Sequence, residues 1–233
     1  MKKDIKLITV LLLILLLLSV CGCSHNAEQD ISNYSQIISD FKTTVKGVLS
    51  ESFETDFNND KFVSPDENFR YEWGNMLIDA KDGLNNPTEA SFGYVLKDIN
   101  NDNISELFFV REDYTILAIF TLVNSKPKLL DAFWSRYSCV MLDNNDLYIL
   151  SSNGADNFEY TIYRLSANNE LKTVKKFGMN NGYYEKTNDE FISISKGQFD
   201  KILGDYPYVS GIHWQDNEFY DLNQSDINSI IDN

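Results

Sequence analysis

The chain has 233 residues, 35 Asp+Glu against 20 Lys+Arg, a formal net charge of −15 and 43% hydrophobic residues. That length suits one ordinary domain with a core of its own. Two His and three Cys argue against a metal site rich in those residues and against a disulfide-dense scaffold. The acidic balance argues against a protein that grips nucleic acid through its phosphates, which requires clustered Lys and Arg.

The chain opens with Lys2, Lys3 and Lys6, followed by Leu7 to Val20, an apolar stretch interrupted only by Thr9 and Ser19. As a helix this stretch rises about 21 Å, short of the roughly 30 Å hydrocarbon core. A basic start before a short apolar run reads as a secretory signal. The next residues are Val20-Cys21-Gly22-Cys23-Ser24. They resemble the lipobox of bacterial lipoproteins, with an aliphatic residue three before a Cys and a small residue directly before it. Cys21 departs from the Ser, Ala or Thr more usual there. The resemblance implies that Cys23 carries the lipid, palmitate included, and that the signal peptide is cut just before it. The chain would then be held at the cell membrane, lipid-anchored on the extracytoplasmic face.

On this reading residues 1–22 are the signal peptide, 23–30 the lipidated Cys and tether, and 31–233 a single extracytoplasmic domain. Removing residues 1–22 takes away three Lys and Asp4, leaving 17 basic and 34 acidic side chains and a net charge of −17. Cys139 is then the only thiol besides Cys23, and its strand-like setting predicts a buried small hydrophobe rather than a nucleophile. The polar stretch Ser24 to Asp30 reaches roughly 24 Å when fully extended.

Ile31, Tyr34, Ile37, Ile38, Phe41, Val45, Val48 and Leu49 recur at helical spacing and predict one amphipathic helix. Ser64-Pro65-Asp66-Glu67 has the form of a capped helix start, with Phe69, Trp73, Met76, Leu77 and Ala80 as its apolar stripe and Gly83 as its limit. From residue 91 the period changes to that of strands, expected at 92–98, 105–111, 115–123, 127–133, 138–142, 147–151, 158–165 and 171–177. Their joints are short and rich in Asn, Asp, Gly and Ser, which indicates antiparallel hairpins. A short helix is predicted from Ser195, with Gln198 as capping partner, and another over Ser225 to Ile231. The fold class expected is α+β: N-terminal amphipathic helices, then an antiparallel β-meander sheet, then a mixed α/β tail.

The segment with chemistry in it is Asp98-Ile99-Asn100-Asn101-Asp102-Asn103-Ile104-Ser105-Glu106. Oxygen donors fall at loop positions 1, 3, 5 and 9 (Asp98, Asn100, Asp102, Glu106), with the Ile104 carbonyl at position 7. Alternate residues of a curled loop can turn such hard ligands toward a calcium ion. The segment resembles the calcium hairpins of FG-GAP and VCBS repeats, and a similar stretch in uncharacterised secreted proteins and lipoproteins of Gram-positive bacteria. That resemblance implies calcium as a structural ion. Asn100 stands where those hairpins have a middle Asp, Asn103 where they have Gly, and Glu106 where they have the shorter Asp. Phe109 occupies the position of an EF-hand's bidentate Glu, so this is not an EF-hand. The other reading of the same residues is a polar hairpin turn whose Asp and Asn cap their own backbone.

Other constellations are thin. His213 has Ser210 three residues before it but no nucleophile-elbow spacing. Carboxylate pairs such as Glu112/Asp113 and Asp189/Glu190 have the composition for glycoside hydrolysis, in a chain where acids are abundant. Tyr183-Tyr184, Tyr206-Pro207-Tyr208, His213-Trp214 and Phe219-Tyr220 read as irregular, exposed segments that could form a sugar- or peptide-binding platform. No catalytic residue is assigned. The function expected is a membrane-anchored, noncatalytic binding or interaction module. Its partners would be the lipid bilayer, through Cys23, and a cell-surface glycan or protein, and not nucleic acid. The alternative is a cell-surface hydrolase acting on glycan or peptide through an Asp/Glu pair.

Overall fold

The computed structural model describes residues 27–50, 76–113, 115–187, 190–206 and 220–222. The signal peptide, Cys23, the Ser64–Glu67 cap, Asp189, His213-Trp214 and the Ser225–Ile231 helix lie outside these residues.

Helix α1 spans Ala27–Leu49 and so begins four residues before the domain start expected from sequence. Tyr34, Ile37, Ile38, Phe41, Val45 and Val48 form one buried stripe at the helical period. The described part of α2 covers residues 76–82 and buries Met76, Leu77 and Ala80. A 3-10 turn, Glu89–Ser91, leads into the sheet.

Eight strands follow, close to where the sequence places them: β1 Phe92–Lys97, β2 Glu106–Arg111, β3 Ile116–Val123, β4 Lys126–Ala132, β5 Tyr137–Met141, β6 Leu147–Gly154, β7 Asn157–Leu165 and β8 Leu171–Asn180. Three more complete the sheet: β9 Tyr183–Thr187, β10 Glu190–Ser193 and β11 Tyr220–Asp221. Tyr183-Tyr184 therefore lie in a strand rather than in an irregular segment. Both are half-buried, Tyr183 against Phe199 and Tyr184 against Phe191, so they serve packing. The sheet order is β10-β9-β8-β7-β6-β5-β3-β2-β1-β11, with β4 paired to β3 beside this path. Every ladder is antiparallel, and the fold is α+β.

The buried alternation explains the layering. On β2, Leu107 and Phe109 join α1 and α2 in one core, where Phe41 stacks on Phe109 at 4.0 Å. Phe108 and Val110 point the other way, into a second core with Ile116, Cys139, Met141, Leu147 and Ile149. Among the described residues that second core is built from strands and their turns with no helix, and Asn100 bonds the turn 98–105 to the turn 166–170. Cys139 is fully buried there, as expected, and burial pushes its thiol pKa well up. The outer face of the later strands carries a third core, capped by helix α3, Lys196–Asp205. Ser195 and Gln198 form the predicted capping box, and Phe199 inserts among Phe158, Tyr160, Phe177 and Tyr183. Gly178 permits the close approach of β7, β8 and β9, since a Cβ there would lie 2.3 Å from the Phe158 carbonyl oxygen.

The two ends of the sheet differ in chemistry. One end carries the turns 98–105, 124–125, 142–146 and 166–170. Three of these contain the same clasp. Asn100 Nδ2 donates to Asp102, Asn144 Nδ2 to Asp146 and Asn168 Nδ2 to Glu170, at 2.8–3.2 Å. In each, the Asn between donor and acid has a positive φ: Asn101 at 60°, Asn145 at 65° and Asn169 at 58°. Asn tolerates this region better than other side-chain-bearing residues do. The opposite end carries the β2–β3 connection, the 133–136 corner, the turns 155–156 and 181–182, and the end of α2.

Helix α1 runs from the first end to the second. Tyr34, near its start, donates its hydroxyl to the Ser105 carbonyl at 2.9 Å. Near its finish, the Val48 carbonyl accepts from Lys81 Nζ at 3.2 Å and Lys46 lies 3.6 Å from Glu89.

Candidate functional sites

The loop 98–106 closes on itself. Asp98 accepts from the Asn101 amide at 2.7 Å through Oδ1 and from the Asn103 amide at 2.9 Å through Oδ2. Asn100 Oδ1 accepts from the Asp102 amide at 3.1 Å, and Asp102 Oδ1 from the Ile104 amide at 2.9 Å. Asn103 takes the positive φ, 67°, for which Gly is the usual choice. Asn100 Nδ2 also reaches the neighbouring turn, donating to the Ser166 carbonyl and to Asn169 Oδ1, both at 3.3 Å.

Glu106 turns away from this rim. It is fully buried, accepting from the Ile99 amide at 3.1 Å and the Thr121 hydroxyl at 3.0 Å. Burial pushes its pKa to about 8; the two donors oppose the shift, and the charges of Asp102 and Asp98 add to it. The four side chains expected to ligate calcium are therefore divided between the loop's own amides and the sheet interior. No group of three or more Asp, Glu, His or Cys that could hold a metal forms among the described residues. The donor set as folded does not fit a calcium ion. The Asn-x-acid clasp does not point to one either. It recurs at Asp146, whose carboxylate is 2% exposed and is gripped by Arg164 through Nε and Nη2, both at 2.7 Å.

A second site lies at the other end of the molecule. Near its start β3 changes partner: residues 118–123 pair with β4, whereas Ile116 pairs with Cys139 of β5. The chain must turn a corner between β4 and β5. A tight bridge makes that corner, with the Trp134 and Tyr137 amides each donating to the other's carbonyl at 2.9 Å. Between this corner, α2 and the β2–β3 connection opens a cleft of about 230 Å³. Its apolar floor includes Met76, Ala80, Ile116 and Phe133, and its polar groups are Asp79, Arg111, Thr115, Ser135 and Ser138.

The cleft's polar groups are held by specific bonds. Asp79 Oδ2 accepts the Ser135 amide at 2.5 Å, which pins the corner to α2. Arg111 grips Asp113 through Nε and Nη2, and its Nη1 donates to the Ala80 carbonyl at 3.2 Å. A cation at the last carbonyls of α2 is favoured by the helix dipole. Gly83 leaves the room, since a Cβ there would sit 2.7 Å from Arg111 Nη1. Burial pushes the Asp113 pKa upward, but the hydrogen bonds and charge of Arg111, with Thr115, outweigh it and the net shift is down. Of the Glu112/Asp113 pair, then, Asp113 is committed to a cation. Trp134 is 45% exposed and leans on Tyr137, with ring centroids 5.0 Å apart.

Asp79, Arg111, Trp134, Ser135 and Ser138 have no pattern in the sequence. Asp79, Arg111 and the 134–138 corner are separated by 32 and 23 residues and meet only because β3 switches partners. The one usable sign was Trp134, a large aromatic in a short joint between strands. The chain matches no protein-family model, no curated protein and no solved structure.

Proposed function

We propose that the chain is a lipid-anchored extracytoplasmic binding module, noncatalytic, that holds its ligand in the cleft lined by Asp79, Arg111 and Trp134. The observation that carries the reading is the Val20-Cys21-Gly22-Cys23 signal together with the position of α1. That helix begins at Ala27, four residues after Cys23, so a lipid on Cys23 lies within about 14 Å of the helix start. A helix of 23 residues is about 34 Å long, and α1 ends beside the α2 terminus that walls the cleft. Such an anchor brings the Asn-rich turns toward the bilayer and turns the cleft outward. The acidity of the chain supports a lipid rather than a charge-based attachment, since anionic headgroups repel it.

The test is fractionation of cells producing the full chain. The parent protein should partition with membranes and into detergent, and Cys23→Ala should abolish both while leaving the domain folded. Cys23→Ala protein that stays in the membrane fraction would overturn the anchor.

A further inference from the structure

We infer that the cleft at the outward end takes one ring of a neutral sugar, as a monosaccharide or the end of a glycan. This rests on the reading of that cleft as the module's ligand site and names its chemistry. The volume, about 230 Å³, falls below the roughly 300 Å³ at which sites for drug-sized molecules begin. It suits a single pyranose ring over its apolar floor.

Three polar groups at the cleft are unspent. The Asp79 Oδ1, the Ser138 hydroxyl and the Trp134 indole N–H have no hydrogen-bond partner among the described residues, whereas Asp79 Oδ2 is used on the corner. Together they offer an acceptor, a donor and a group that is both. Vicinal hydroxyls, each donor and acceptor, satisfy such a set, and a ligand that left it unmatched would forfeit those bonds. Trp134 supplies the apolar surface against which the C–H face of a pyranose packs, and Tyr137 behind it holds that surface in place.

Charge decides between a sugar and its ionic competitors. Asp79 and Arg111 both line the cleft. A carboxylate ligand would meet Asp79, and an ammonium would meet Arg111. A free amino acid brings both charges, but its carboxylate would find no free cation among the described residues of the cleft, since Arg111 is held by Asp113 and the Ala80 carbonyl; a neutral polyol brings neither charge.

The experiment uses the full chain, purified in a sugar-free detergent, with saturation-transfer NMR on glucose, galactose, mannose and N-acetylglucosamine. Glucosamine, glucuronate and an unrelated tripeptide serve as charged comparators. At least one neutral sugar should bind in the millimolar range and outcompete all three comparators. Trp134→Ala, a change at an exposed ring, should weaken that binding at least tenfold with an unchanged melting temperature, and Ser138→Ala a few-fold. Absence of a Trp134-dependent signal from every neutral sugar would overturn the proposal. So would preferential binding of glucosamine, glucuronate or the peptide. Membrane fractionation of the same variants reads the anchor separately, so a protein that is anchored but binds no sugar refutes the ligand alone.

Discussion

Buried without a cationic partner among the described residues, Glu106 retains its proton at neutral pH, with a pKa near 8 against an ordinary value of 4.5. Below pH 4.5 the folded and unfolded chains both hold that proton, and the group contributes no slope. Between 4.5 and 8 the unfolded chain releases it while the native chain keeps it, so stability falls as pH rises through this window. Above 8 both are ionised and the slope ends. Gln is the isostere of the protonated form: its oxygen can accept from Ile99 and its amide donate to Thr121. Glu106→Gln should therefore flatten the denaturation midpoint against pH between 5 and 8 and add up to about 3 kcal/mol at pH 7. Chemical denaturation across that range checks it, and a variant whose profile stays parallel to the parent would refute the assignment. The same residue bears on calcium. With Glu106 facing Thr121, and Asp98 and Asp102 facing loop amides, calcium added to the metal-free protein should give no saturable heat and no thermal shift. Calorimetry that found either would restore the calcium-hairpin reading.

At the scale of elements, the turns at the Asn-rich end are solved by one residue type. Among the described residues, eight non-glycine positions have positive φ, and all but Ser125 are Asn. Replacing Asn145 by Ala should cost about 1 kcal/mol, because the left-handed conformation is strained for a Cβ that lacks the Asn amide. Gly at the same site removes that strain but loses no clasp, since the clasp is made by Asn144, and should be neutral or slightly stabilising. Thermal melts of the pair test the claim, and equal losses in both would show that the Asn145 side chain, not its backbone, matters. These turns also explain why the strands were legible in the sequence. The Asn-rich joints after β1 and β3 bracket the pair of runs Glu106–Arg111 and Ile116–Val123, whose continuous apolar character reflects burial on both faces. The outer strands were harder to read. Glu190–Ser193 is exposed along its whole length and Tyr183–Thr187 ends exposed, so no apolar alternation marks them. The hairpin signal Asn181-Gly182 was the sign of that extension. The cleft was illegible because its walls depend on a partner switch at Ile116, a long-range event without a local pattern. At the calcium-like loop the donors were legible, but their direction was not: spacing places Glu106 in the set, and burial beneath Thr121 takes it out.

Across the whole molecule, the direction of α1 would convert the lipid attachment proposed at Cys23 into an orientation. Tyr34 ties the start of the helix to the turn that ends at Ser105, and Val48 with Lys46 ties its finish to Lys81 and Glu89. The helix, packed along its length on β1–β4, cannot pivot without breaking that core. With only residues 24–26 between Cys23 and Ala27, the linker is too short to let the domain turn over freely. The Asn-rich end should then stay close to the headgroups and the cleft end some 30 Å further out. The net charge of −17 on the chain after residue 22 keeps the body from lying flat on an anionic surface, and raised salt should relax that repulsion. A dye at Asn144, in a turn of the first end, should be quenched by nitroxide headgroup lipids in proteoliposomes of the lipidated protein. A dye at Asp156, in the opposite turn between β6 and β7, should not be. Lengthening the linker with a flexible Gly/Ser insert of about ten residues should reduce the contrast, because the domain then samples many heights and tilts. Equal quenching at both positions with the natural linker would mean that α1 does not set the orientation, and the cleft would lose its claim to face outward.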